Sequence, residues 1–90
     1  MKRYKKHEII EEIKRIFTRR KKIKEETLIK EIVKKGFKKG YVVRIILFLR
    51  DIRVLKKEFN MKTYAYYIAK DVQFKLIDEF LKGVHVRKSA

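Results

Sequence analysis

The sequence predicts a mainly α-helical domain closed by a β-hairpin, with one further helix at its C-terminus. Three observations carry this. Apolar residues recur at helical spacing in successive segments before residue 53, Gly36 and Gly40 enclose a short corner, and two strand-like runs, Arg53–Phe59 and Thr63–Ala69, flank a turn at Asn60, Met61 and Lys62. Ninety residues make one small domain, 1–90. A domain of that size buries only about 60–65% of the surface its unfolded chain exposes, so every periodic apolar position is needed for the core.

In the first helix, about 7–20, Ile9, Ile10, Ile13, Ile16 and Phe17 fall within a third of the helical wheel. Glu8, Glu11 and Glu12 sit where the positive end of the helix dipole favours acid, and Arg19 to Lys22 suit the other end. Ile23 stands alone between lysines as a short extended segment. Leu28, Ile29, Ile32 and Val33 then define a second helix over about 25–35, with Gly36 as its left-handed stop. Gly36 and Gly40 flank Phe37, Lys38 and Lys39 in a helix-turn-helix corner, where glycine takes backbone conformations closed to other residues. Residues 41–52 are rich in β-branched side chains, but their length and the preceding corner favour a third helix, with Val42, Ile46 and Leu49 inward and Arg44 and Asp51 near the opposite side. A hairpin follows: strand Arg53–Phe59, a turn at Asn60, Met61 and Lys62, and strand Thr63–Ala69, in which Tyr64, Tyr66 and Ile68 alternate with Ala65 and Tyr67. Asp71 is the expected cap of a last helix, 71–83, closed by Gly83. Phe74, Leu76, Ile77, Phe80 and Leu81 cover more than one stripe of that helix, which predicts a dimer contact with a twofold mate.

Charge narrows the function. The chain carries a formal net charge of +16 and is nevertheless 46% hydrophobic, so it should fold and present a cationic surface to a polyanion. Lys and Arg outnumber acids by ten to three over 1–22, six to three over 23–40 and seven to two over 41–70, but only by four to three over 71–90. The last segment therefore faces protein, and the first seventy residues face phosphate.

Other classes recede. The absence of cysteine excludes a disulfide framework and Cys-ligated zinc and suits a reducing, cytoplasmic setting. His7 and His85 lie near opposite ends of the chain, so no metal site and no cofactor is expected. No nucleophile–base arrangement or phosphate-cradling glycine loop is present, and a non-enzyme is expected. Apolar runs are too short for a membrane span, no signal-peptide-like stretch is visible, and the acids of the first helix disfavour an anionic bilayer.

The order helix, extended segment, helix, glycine corner, helix, hairpin resembles the winged helix-turn-helix family of nucleic-acid-binding proteins over about residues 8–69. Ile46, Leu49, Arg53 and Leu55 match the family's helix-to-hairpin pattern, except that Arg53 stands where the family often has glycine. Heavy use of Lys and Ile without Pro or Trp is similar to the bias of hyperthermophilic archaeal proteins, which makes the resemblance one of archaeal type. The resemblance implies duplex binding, with the third helix in the major groove and the hairpin tip on neighbouring backbone. On these positions the corner supplies Lys38 and Lys39, the third helix Tyr41 and Arg44, and the hairpin Lys56, Lys57, Asn60 and Lys62. Arg19, Arg20, Lys34 and Lys35 complete the expected nucleic-acid surface. Lys and Arg release condensed counterions, and Arg44 is the candidate for reading a guanine edge. Leu47 and Phe48, apolar and flanking that side, argue for limited base readout. Tyr64, Tyr66 and Tyr67 suit base stacking less well than core and cross-strand packing.

The expected function is that of a small homodimeric duplex DNA-binding protein, associated with the nucleoid, in transcription regulation or chromosome organisation. The alternatives are an RNA-binding structural protein, such as a small ribosomal component that binds structured RNA, and an interaction module of a larger complex.

Overall fold

The computed structural model describes residues 5–79 and 81. Its elements run α1 (Lys5–Arg19), β1 (Lys22–Lys24), α2 (Glu25–Val33), α3 (Lys39–Asp51), β2 (Leu55–Asn60), β3 (Ala65–Lys70) and a 3-10 turn (Phe74–Leu76). The fold is small and mixed, with helix predominating over a three-stranded antiparallel sheet. The isolated Ile23 proves to be a third strand: Ile23 pairs with Ile68, and the sheet order is β1-β3-β2. Alternation along the strands turns Ile23, Leu55 and Ile68 toward the helices, where all three are buried. They close one core with Ile9, Ile10, Ile13 and Phe17 of α1, Leu28 and Ile32 of α2, and Val42, Ile45, Ile46 and Leu49 of α3. Phe17 is fully buried and meets Phe74 edge to face, with ring centroids 6.0 Å apart. Truncating it to alanine removes about 3–5 kcal/mol, a large share of the stability of so small a domain.

The structure differs from the sequence expectation at four joints. First, α3 begins at Lys39, two residues earlier than expected, because Lys38 is extended and the Val42 N–H already donates to the Lys38 carbonyl at 3.1 Å. Gly40 therefore lies in the first turn of the helix, and only Gly36, at φ 107°, takes the left-handed conformation expected of both. Second, α2 ends at Val33, and Lys35 and Gly36 donate to the carbonyls of Ile32 and Val33 in a closing turn.

Third, the hairpin is shifted by one to two residues. The Asn60 carboxamide oxygen accepts the N–H groups of Lys62 and Thr63 at 2.9 and 3.0 Å, which moves the reversal to residues 61–64. Tyr64, at φ 55°, belongs to that turn and not to the alternation of Tyr66 and Ile68. Fourth, no helix starts at Asp71. Its N–H donates to the Val54 carbonyl at 2.9 Å and that of Gln73 to the Arg53 carbonyl at 3.0 Å, so the chain stays tied to the helix-to-sheet junction until Phe74. Residues 77–79 and Leu81 are helical beyond it, while Phe80 and Gly83 lie outside the described residues.

Candidate nucleic-acid interface

Helices begin with unpaired N–H groups and a positive partial charge, which acidic side chains normally offset. Helix α1 has Glu8 in its first turn, and α2 has Glu25 and Glu26. Helix α3 has no acid there; Lys38 precedes it and Lys39 opens it, without a side-chain cap. Neither lysine has an acidic partner within salt-bridge distance among the described residues. Two cations are thus held at the end of a helix whose dipole they oppose.

The surface around that end is open. Lys38, Gly40, Tyr41 and Arg44 line one shallow depression, and nothing lies within 4 Å of where a Cβ on Gly40 would stand. Helical spacing aligns Gly40, Arg44, Leu47 and Asp51 along the side of α3 turned away from the core, with the buried Val42, Ile45, Ile46 and Leu49 opposite. Arg44 is exposed and free of acidic partners among the described residues. Lys34 and Lys39 line a neighbouring hollow between α2 and α3, with Lys30, Glu26 and Glu31 also at its wall. The structure therefore brings together Lys34, Lys38, Lys39, Tyr41 and Arg44.

The remaining expected residues disperse. Arg19, Arg20 and Lys35 line a hollow between α1 and α2 that also holds Glu12 and Glu31, and Lys35 Nζ lies 3.7 Å from Glu12. In the hairpin, Lys56 points to the face of the sheet away from the core, in a row with Ala69 and Lys22, and reaches Glu58 at 3.2 Å. Lys57 points to the other face, pairs with Glu25 at 3.3 Å and sits 4.4 Å above the Tyr66 ring. Asn60 holds the turn through its side-chain oxygen. Lys62 is exposed at the tip with no acidic partner among the described residues.

Two apolar residues of α3 part ways. Phe48 is half-buried with Lys6 Nζ 4.8 Å over its ring, whereas Leu47 stays exposed beside Arg44. In the expected dimer segment, Ile77 is buried, and Phe74 and Leu81 pack against the chain's own core, so Leu76 and its neighbour Val72 carry the exposed apolar surface. Residues that sequence reasoning passed over are Lys22 and Lys24, which β1 places with Tyr67 on the outer face of the sheet, and Phe59, which joins Tyr64 and Tyr66. The isolated, lysine-flanked Ile23 was the available signal for the first pair, whereas β2, which reads Leu-Lys-Lys-Glu-Phe-Asn, has no alternation that would have marked Phe59.

No group of three or more metal-ligating side chains occurs among the described residues, and no helix among them is long and apolar enough to cross a membrane. Comparison with family models, characterised proteins and solved structures found no match to this chain.

Proposed function

We propose that this chain is a winged-helix protein that binds duplex DNA through the N-terminal half of α3 and the tip of the β2–β3 hairpin. The observation that carries the reading is the cationic, acid-free start of α3, where Lys38 and Lys39 oppose the dipole of their own helix unless an external anion lies against them. The element order and the β1-β3-β2 sheet support the family reading. Arg53 supports it too, since at φ 66° it holds the left-handed conformation for which the family uses glycine at that junction.

In this reading a phosphate docks on the first-turn amides of α3, flanked by Lys38 and Lys39, with Gly40 permitting close backbone approach. Arg44, one turn further along, then faces the major-groove edge of the bases, where a paired hydrogen bond to guanine is its natural contact. Leu47 adds apolar contact beneath it. Asp51, at the far end of the same stripe, repels phosphate and confines docking to the N-terminal half of the helix. Lys62 reaches the adjacent backbone from the hairpin tip. With one arginine at the base edges, affinity is dominated by phosphate contacts, which suits a regulator of modest sequence preference or an organiser of the chromosome in the cytoplasm. A twofold mate docked on Val72 and Leu76 is the form of dimer consistent with the packing of Phe74 and Ile77.

The test is a parallel titration of labelled duplex DNA, single-stranded DNA and folded RNA at two salt concentrations. The reading expects the duplex to bind tightest, with about six phosphate contacts giving a log–log salt slope of about −5. Tighter binding to folded RNA would transfer the surface to a structural RNA partner, and a flat salt response would remove the nucleic-acid reading.

A further inference from the structure

The hairpin tip carries a feature that phosphate binding does not use. Phe59, Met61, Tyr64 and Tyr66 are 41%, 79%, 80% and 51% exposed, and all four belong to this one hairpin. Phe59 is the hub, with its ring centroid 4.9 Å from Tyr66 and 5.3 Å from Tyr64, both edge to face. Such pairs stabilise a hairpin, but cross-strand packing alone does not account for Tyr64. It sits at φ 55°, a backbone conformation that bulky side chains rarely adopt, and gains little burial in return. Glycine or asparagine would make the same turn without strain.

We propose that this aromatic tip is a stacking platform for unpaired nucleobases, so that the protein prefers a duplex adjoining a single-stranded segment over an uninterrupted one. The inference rests on the duplex reading above and specifies its substrate. Charge selects a base over a protein as the occupant. Lys62 is exposed in the same turn as Tyr64, Lys57, though paired with Glu25, sits over Tyr66, and Lys24 lines the hollow beneath Tyr64 and Tyr66 together with Glu25 and Glu26, all on a chain of net charge +16. Aromatic rings interleaved with cations match a strand whose bases stack while its phosphates are neutralised. Stacking uses the face that every base presents, so the platform's preference among sequences is weak.

The test compares a blunt duplex with the same duplex bearing a single-stranded extension, with 2-aminopurine at the first unpaired position. The wild-type protein should bind the extended substrate about tenfold more tightly, within the range of one base–aromatic stack, and change the 2-aminopurine fluorescence. Tyr64→Gly removes the ring and relieves the backbone, so it should melt no lower than wild type while losing most of the preference and keeping blunt-duplex affinity within about threefold. Tyr66→Ala should lose the preference in the same way. Equal wild-type binding of both substrates with unchanged fluorescence overturns this inference and leaves the duplex reading standing, as does a preference that survives in Tyr64→Gly and Tyr66→Ala. Binding of neither substrate removes both.

Discussion

Helices α2 and α3 begin alike and are finished differently. Each follows an extended lysine, Lys24 or Lys38, and neither start has a side-chain cap. At α2, Glu25 and Glu26 come next, opposing the positive end of the helix, and Glu25 is held by Lys57 across from the hairpin. At α3, Lys39 and Gly40 come next, and the positive end is left uncompensated. One start is completed within the molecule. In the proposed reading the other is completed when an anion arrives, and the difference would then separate a basic residue that serves the fold from one that serves a ligand.

The strongest way to break the contrast is to convert the second start into the first. Lys38→Glu with Lys39→Glu should weaken duplex binding by about 100-fold or more at moderate salt, through lost and reversed phosphate contacts. The same variant should be more stable by about 0.5–1 kcal/mol, because acid now faces the helix dipole. Fluorescence anisotropy and thermal melting would read the two effects, and their opposite signs are the signature. The reverse exchange, Glu25→Lys with Glu26→Lys, should cost about 1–2 kcal/mol of stability while leaving duplex affinity unchanged or slightly raised, by the same two measurements.

Smaller effects distinguish the two corner glycines. Gly36→Ala should destabilise by about 1 kcal/mol or more, since φ 107° is closed to alanine, without a direct effect on binding. Gly40→Ala, in helical conformation and open space, should stabilise by about 0.4–1 kcal/mol and still weaken duplex binding a few-fold by holding the phosphate away from the helix start. Denaturant unfolding resolves the sign of each. The last and smallest case is Arg53→Gly, which should raise stability by about 0.5–1 kcal/mol by relieving the left-handed arginine and leave binding within about twofold.

Much of this arrangement is legible in the sequence because it is local. The isoleucine stripe of α1 and the inward set Val42, Ile46 and Leu49 follow from periodicity, and Lys38 and Lys39 are visible at the corner. What is not legible depends on partners distant in sequence or on backbone conformations that side-chain pattern does not encode. Ile23 reads as a lone apolar residue until Ile68 pairs with it. Asp71 has the chemistry of a helix cap, but its N–H is claimed by Val54, seventeen residues earlier in the chain. The turn is displaced by the side chain of Asn60 and by a tyrosine in the left-handed region, a place where sequence reasoning expects glycine.

The candidate site was readable as charge and not as geometry. Twelve residues were expected to meet nucleic acid, and cation type alone does not separate Lys38 from Lys35 or Lys57. Ion pairing does: Glu12 lies against Lys35 and Glu25 against Lys57, while Lys38, Lys39 and Arg44 have no carboxylate within salt-bridge distance among the described residues, although Glu26 and Glu31 share the hollow that Lys39 lines.

The central claim is that the start of α3 is finished by phosphate. It is tested most directly by the salt dependence of duplex affinity in wild type and in Lys38→Ala with Lys39→Ala, measured side by side. If each lysine displaces one counterion, the variant's log–log slope is shallower by about two units. Parallel lines for the two proteins would show that these lysines touch no phosphate and would contradict the account.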